Sequence, residues 1–499
     1  MRTIALIMAG TVFCSFSLAE AKEVSPMQMS LGLYYYTPKV EFIHVVLTGA
    51  REDGKSIKLE ISKQLGGKVL TSKQIPVSPS ADKFTASFPI WEWSEGRYVV
   101  SAQLLGADEK VIGSVYRVFF KRDIKPAVGP PTPANPTIRS DGIILLDGKP
   151  FFPFFNTETY VYSPYITDCF NIGPDRYGKL GIIANPLDQR KVGLPWVTRE
   201  NEKTFILLPE EDEMLRKIRK IVEAKKSDPS MFLWFLKHDA KIPMYRGKEQ
   251  RVRLDNVKEL TKIHQFVKKL DPRHLTIIHV EHGQGDRWEW PSDMTPYRNC
   301  ADIIGVAPMA SYERWLIPNF VKAIEEVKGI LDPGKPLFIM IGSSIPAAEC
   351  RTAEDIRCAS YLALMHGAAG IVFHMGHYGI DPSYTRHLSV YRGLSREVEE
   401  LFPIIASQQP TTDTGITVDN KSIDIAVRIH EGTLYVIAVN TSNTLVRATI
   451  SIADSAMIPK SIKLLFENRE IAPKGNGFTD TFTPLEPHVY KLSSGLEKR

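Results

Sequence analysis

The chain has 499 residues, 43% of them hydrophobic and 24% charged, which excludes wholesale disorder and leaves room for about three domains. Its 62 Lys and Arg against 57 Asp and Glu give a net charge of +5, too mild and dispersed for a nucleic-acid or anionic-membrane partner.

The first 21 residues place Arg2 before a short apolar run and end on Ala19-Glu20-Ala21, a small-x-small cleavage site. Residues 1–21 therefore read as a secretory signal peptide, and the expected location is secreted or periplasmic. The run is too short to span a bilayer, and no later segment is long and apolar enough to do so. Beyond the signal, Cys169, Cys300, Cys350 and Cys358 are widely spaced with no C-x-x-C, which suggests neither a zinc site nor a disulfide framework.

Residues 22–123 alternate Val, Ile, Tyr and Phe with polar residues between Gly-, Asp- and Ser-containing turns, the pattern of an immunoglobulin-like β-sandwich. They hold no cluster of His, Cys or carboxylates, so an accessory role is expected. Pro126, Pro130, Pro131, Pro133 and Pro136 mark 124–140 as a semi-rigid linker.

Residues 141–408 open on IILLDGKPFFPFFN, a hairpin turning at Asp147-Gly148-Lys149-Pro150 and followed by a strand. Two further strands are expected around 169–172 and 205–208, in a stretch with little periodicity. Strands and helices then alternate: helix 210–226, strand 231–236, helix 257–270, and strands 275–281 and 301–309. Helix 317–331, strand 336–343, helix 352–367, strand 370–376 and helix 384–406 follow. Thr352 with Asp355 signals a helix start and Gly367 a helix stop. Such a repeat matches a (β/α)8 TIM barrel; an open doubly wound sheet is the alternative, but no Gly-rich phosphate loop opens any helix. Residues 409–499 return to strands and predict a second β-sandwich. The fold class is thus multidomain, α/β plus all-β: a TIM barrel between N-terminal and C-terminal sandwiches.

Candidate chemistry gathers at the strand ends. MFLWFLKHDA, residues 231–240, is a continuous apolar run that stops at Lys237, His238 and Asp239. LTIIHVE ends at Glu281, and HGQGDRWEWP follows, packing Trp288 and Trp290 with Asp286 and Arg287. Aromatic faces beside carboxylates and Arg suit a sugar, whose C–H faces stack and whose hydroxyls hydrogen-bond. His374 and His377 flank the last strand, and Tyr312 follows the sixth. H-x-x-H at a strand end would suit a metal, with His279, Glu281 and His282 as the only further ligands at hand. No metal and no cofactor is expected.

DGKPFFPFF, the strand ending LWFLKHDA, and RTAEDIRCASYLALMHGAAGIVF resemble glycoside hydrolases with a β-galactosidase-like (clan A-type) barrel, and LYVIAVNTS with FTPLEPHVYKL resembles the module that often closes such chains. In that family a strand-four W-x-x-x-(N/D)-E supplies the acid/base Glu. The resemblance sets Trp234 on the Trp, His238 on the Asn/Asp and Asp239 on the Glu, with Ala240 where the family has Pro. The strand-seven segment FIMIGSS has no carboxylate where the nucleophile belongs.

Glycoside hydrolysis needs one carboxylic acid and a second carboxylate across the ring. Asp239 is the expected acid, assisted by His238, and Glu281 the base or nucleophile; Trp234, Trp288, Trp290, His374, His377 and Tyr312 would line the sugar site. Asp302, Glu313 and Glu349 are lesser candidates, Asp302 because it starts a strand at the wrong end. Against each stands a plainer reading: Asp239 capping a loop or pairing with Lys237 or Lys241, and the 282–291 loop folded on its own tryptophans. The expected partner is a carbohydrate, with an atypical mechanism; the alternative is a catalytically inactive carbohydrate-binding protein on the same scaffold. The oligomeric state is not legible.

Overall fold

The computed structural model describes residues 27–50, 54–78, 80–123, 135–156, 172–174, 181–184, 211–237, 249–281, 292–307, 317–342, 352–374, 385–407, 414–454 and 458–492. The amino-terminal unit contains β1 (Gln28–Leu31), β2 (Tyr35–Tyr36), β3 (Phe42–Thr48), β4 (Ser56–Ser62), β5 (Val69–Pro76), β6 (Lys83–Pro89), β7 (Gly96–Leu105) and β8 (Val111–Lys121). They form a sheet of order β1-β3-β6 and another of order β2-β8-β7-β4-β5. Alternate residues of each strand point to one face, so Ile43, Val45 and Leu47 of β3 meet Ile57, Leu59 and Ile61 of β4 in one shared core. Each such fully buried side chain contributes roughly 1.5–3 kcal/mol relative to exposure.

Strands β9 (Pro136–Ile138), β10 (Ile144–Leu146) and β11 (Lys149–Pro150) form a small antiparallel sheet. Part of the expected linker is therefore a strand. Pro136 is tolerated because β9 is an edge strand that pairs only with β10. Leu146 faces Lys149, so the turn is Asp147-Gly148 alone, both at positive φ as a two-residue hairpin demands.

The central unit runs β12 (Phe154–Asn156), β13 (Ile172–Pro174), β14 (Gly181–Ala184), α1 (Glu211–Lys225), β15 (Met231–Lys237), α2 (Glu249–Leu270), β16 (Leu275–Glu281) and β17 (Ile303–Ala307). It continues with α3 (Ile317–Ile330), β18 (Leu337–Gly342), α4 (Ala353–Met365), β19 (Gly370–His374) and α5 (Thr385–Ile405). The eight strands make one parallel sheet in the order β12-β19-β18-β17-β16-β15-β14-β13. It curls until its edge strands β12 and β13 come within 8 Å, Cα to Cα. Strand β14 has no counterpart in the sequence reading, and residues 205–208 lie outside the described residues. Helix α2 starts eight residues before the expected 257, because 249–256 (EQRVRLDN) carries no apolar stripe to announce it. Thr352 and Asp355 form a reciprocal capping box on α4, as their spacing predicts.

The two faces of this sheet differ. Trp234, Leu236, Ile278 and Val280 pack against Ile218 and Val222 of α1 and Leu260 and Ile263 of α2. Leu233, Phe235, Ile277, Ile303, Phe338 and Val372 form a separate core that faces away from the helices. No described helix is long and apolar enough to cross a membrane.

The carboxyl-terminal unit contains β20 (Ile416–Val418), β21 (Ile423–His430), β22 (Thr433–Asn440), β23 (Val446–Ile452), β24 (Ile462–Leu464), β25 (Arg469–Ile471), β26 (Gly477–Phe482) and β27 (Pro487–Leu492). Its sheets, β20-β23-β26 and β21-β22-β27-β24-β25, also share one core, with Val436 and Ile450 among its members.

Buried charges join the units. Arg97 on β7 pairs with Glu486, just before β27. Arg357 on α4 donates to Glu397 on α5 at 3.0 Å and to the Pro487 carbonyl at 3.4 Å, and Glu397 accepts from Tyr35 on β2 at 2.8 Å. Both members of the Arg357–Glu397 pair are almost wholly excluded from solvent. Cys300 and Cys358 are free and buried; Cys169 and Cys350 lie outside the described residues.

Candidate functional site

The helix-free core of the parallel sheet is closed at one end. The β9–β11 hairpin places Ile144 and Leu146 in that core, and the Phe151 ring meets Phe232 edge to face at 5.5 Å. Phe155 and Phe338 fill the space beside them, with ring centroids 6.1 Å apart. The amino ends of the strands are thus plugged with aromatics, and a ligand has no room there.

Toward the carboxyl ends the inner positions shrink. On β17 they run Ile303, Gly305, Ala307; on β18 they run Phe338, Met340, Gly342. Gly305, Ala307 and Gly342 carry little or no side chain at these positions. Parallel sheets bind ligands at this end because the loops leaving the strands converge there.

Strand β16 carries the polar groups to that end. Leu275, Ile277, His279 and Glu281 take alternate positions along it, and the first two belong to the helix-free core. The ladder sets Glu281 opposite Ala307 and His279 opposite Gly305. The His279 ring is 1% exposed, and a Cβ on Gly305 would sit 3.1 Å from its Cδ2. The missing side chain at 305 thus leaves room for the buried imidazole. The sequence analysis takes His279 only as a metal ligand; its strand parity with Leu275 and Ile277, both in the helix-free core, is the signal for its place on that side.

The other candidates divide. Trp234, expected to face a sugar, is corrected: its side chain is wholly buried on the helix-facing side, and its indole Nε1 donates to Asp271 Oδ2 at 2.8 Å. Strand alternation turns it away from the helix-free core. Burial alone would raise the Asp271 carboxyl, but the bonds from His274 and Trp234 outweigh it and hold the group below its usual range. Asp302 immediately precedes β17: it accepts from the Thr276 amide at 3.0 Å and pairs with Lys268 at 3.1 Å, at the plugged end.

His374 closes β19, its backbone paired with Gly342. His238, Asp239, Trp288, Trp290, Tyr312 and His377 lie outside the described residues, as do Glu313 and Glu349. Among the described residues no three His, Cys, Asp or Glu side chains converge as a metal site.

No family model matches the chain, and no curated protein does. Solved structures do match. One is an α-amylase from Geobacillus thermoleovorans, with 12% identity over 70% of this chain and 78% of that one, at a TM-score of 0.41. A β-glucuronidase from Bacteroides uniformis has 11% identity over 93% of this chain and 59% of that one, at a TM-score of 0.38. A third, a β-glucuronidase from Parabacteroides merdae, has 10% identity over 93% of this chain and 74% of that one, at 0.33. These neighbours are glycoside hydrolases. The chain spans less than two thirds of the Bacteroides uniformis enzyme. A likeness at this level carries no argument about chemistry, which rests on the chain's own residues.

Proposed function

We propose that this chain is an exported glycoside hydrolase-like protein that takes a carbohydrate at the carboxyl ends of its parallel strands. In this reading the curled sheet closes as a (β/α)8 barrel, and the two-sheet units on either side are β-sandwiches. The observation that carries it is the polarity of the sheet: aromatic and plugged at one end, and at the other bearing His279 and Glu281 on a strand flanked by Gly305 and Ala307. Asp239 follows two residues after the end of β15, the strand next to β16. Two carboxylates from neighbouring strand ends suit an acid and a base or nucleophile across a glycosidic bond. Around them His238, Trp288, Trp290, His374, His377 and Tyr312 would supply stacking faces and hydrogen bonds. Trp234 has no part in it.

A second reading is a barrel that recognises sugar without cleaving it. Two departures from the hydrolase pattern favour it: Asp239 stands where the acid Glu belongs, and FIMIGSS offers no strand-seven carboxylate. A glycan-array screen for binding and turnover, with Asp239→Asn and Glu281→Gln alongside, separates the two. Turnover lost by about 10²-fold or more in either variant supports the enzyme. Binding without turnover, unchanged in both variants, supports the recognition protein, and neither binding nor turnover would sink both.

A further inference from the structure

His366 lies at the carboxyl end of α4, where that helix meets α3 and β21. Its Nδ1 is 2.7 Å from Glu325 Oε1 on α3, and its Nε2 is 2.9 Å from Asp424 Oδ2 on β21. Both ring nitrogens therefore face carboxylate oxygens, which only accept. A neutral imidazole has one N–H and can serve one of them; the imidazolium has two and serves both. The carboxylates belong to different units, Glu325 to the helix layer of the parallel sheet and Asp424 to the carboxyl-terminal pair of sheets.

The surroundings hold the ring in place. His366 N–H bonds back to the Leu362 carbonyl, and Gly367, at φ +85°, ends the helix in the left-handed region. A Cβ at Gly367 would lie 3.2 Å from Lys328 Nζ, so the absent side chain admits that lysine. Arg428 on β21 donates to the Met365 carbonyl at 3.4 Å, covering the helix end. The charged groups facing this corner are thus Glu325 and Lys328 from α3, and Asp424 and Arg428 from β21. A cation at a helix carboxyl terminus is also favoured by the helix dipole.

We propose that His366 is a proton-operated latch that fastens the carboxyl-terminal two-sheet unit to the helix layer of the parallel sheet. This stands apart from any activity at the strand ends. Burial alone would lower the imidazole, but the hydrogen bonds to Asp424 and then Glu325 outweigh it and raise it above its usual value. A raised folded-state value means that the latch contributes fully below the usual imidazole value, about 6.5. That contribution fades as pH rises through the raised value. Glu325 is half exposed and Asp424 about a quarter, so solvent screens the first bond more than the second.

The test is thermal unfolding of the full chain at about pH 6 and about pH 8.5, either side of the usual imidazole range. The wild type is expected to lose roughly 2–4 °C more of its Tm between the two than His366→Gln or Asp424→Asn does. Equal losses in all three proteins would overturn the latch. Hydrogen exchange on the wild type alone gives a second reading that needs no variant to fold. After correction for intrinsic rates, protection at Ile423–His430 should fall between the two pH values while that of Val446–Ile452 holds. Unchanged protection at the first strand would also overturn the proposal.

Discussion

Arg97 donates from Nε and Nη2 to the two carboxylate oxygens of Glu486, at 2.5 and 2.6 Å, across 389 residues of sequence. The two side chains are 1% and 2% exposed, so neither charge has water to fall back on. Glu486 also accepts from the amide and hydroxyl of Thr483 at 2.8 and 2.9 Å, which orients the carboxylate toward the arginine. Removing one partner strands the other charge, a loss of about 3–5 kcal/mol for a buried pair. Arg97→Met is therefore expected to lower stability by that amount, read by urea unfolding. A double variant with Glu486→Leu should recover much of it. A recovery of nothing would mean that the cost lies in packing rather than in the unpaired charge.

The same corner sets an acid limit. Burial alone would raise the carboxyls of Glu467 and Glu486, but Arg469 and His488 beside the first and Arg97 beside the second hold both well below the usual range. A depressed carboxylate contributes stability above its ordinary value, about 4.3, and loses it as pH falls toward the depressed one. The Tm should therefore drop as pH falls below about 4, and less steeply in Glu486→Gln. Matching slopes for the two proteins would remove these carboxylates as the cause.

Trp234→Phe keeps an aromatic side chain but replaces the indole by a smaller phenyl ring and deletes the N–H that serves Asp271. The buried carboxylate still holds His274, so the cost should be roughly 1–3 kcal/mol. Glycan binding should not change, because the side chain lies on the helix-facing side. A binding defect at full stability would restore Trp234 to the site.

Gly393 on α5 leaves room for Tyr35. A Cβ there would sit 2.4 Å from two Tyr35 ring carbons, and the ring cannot retreat because it stacks on Phe120 at 5.2 Å and donates to Glu397. Gly393→Ala should cost about 1–3 kcal/mol by overpacking, despite alanine's better helix propensity. Stabilisation on calorimetry would show that the helix and the amino-terminal unit separate easily.

Strand-and-helix order was legible in the residues because burial imposes a period. MFLWFLK reads as a strand buried on both faces, and Ile218 and Val222 mark the inner side of α1. Local chemistry likewise announced the Thr352–Asp355 cap and the 143–156 hairpin region. Helix α2's polar first turns and the short β14 escaped notice because neither carries a periodic apolar signal.

The candidate site was legible only as strand ends. Sequence spacing names Glu281 and Asp239 but cannot say which face of a doubly buried strand a residue takes, since both faces are apolar. The resemblance to glycoside hydrolases sets Trp234 at the sugar, and only its packing against the helices turns it away. The partners of Arg97, His366 and Tyr35 are set by folding, because each contact closes a loop of chain whose ends no local pattern relates. Periodicity and local chemistry along this chain determine its elements; the tertiary structure alone decides which buried charges meet and which end of the sheet is plugged.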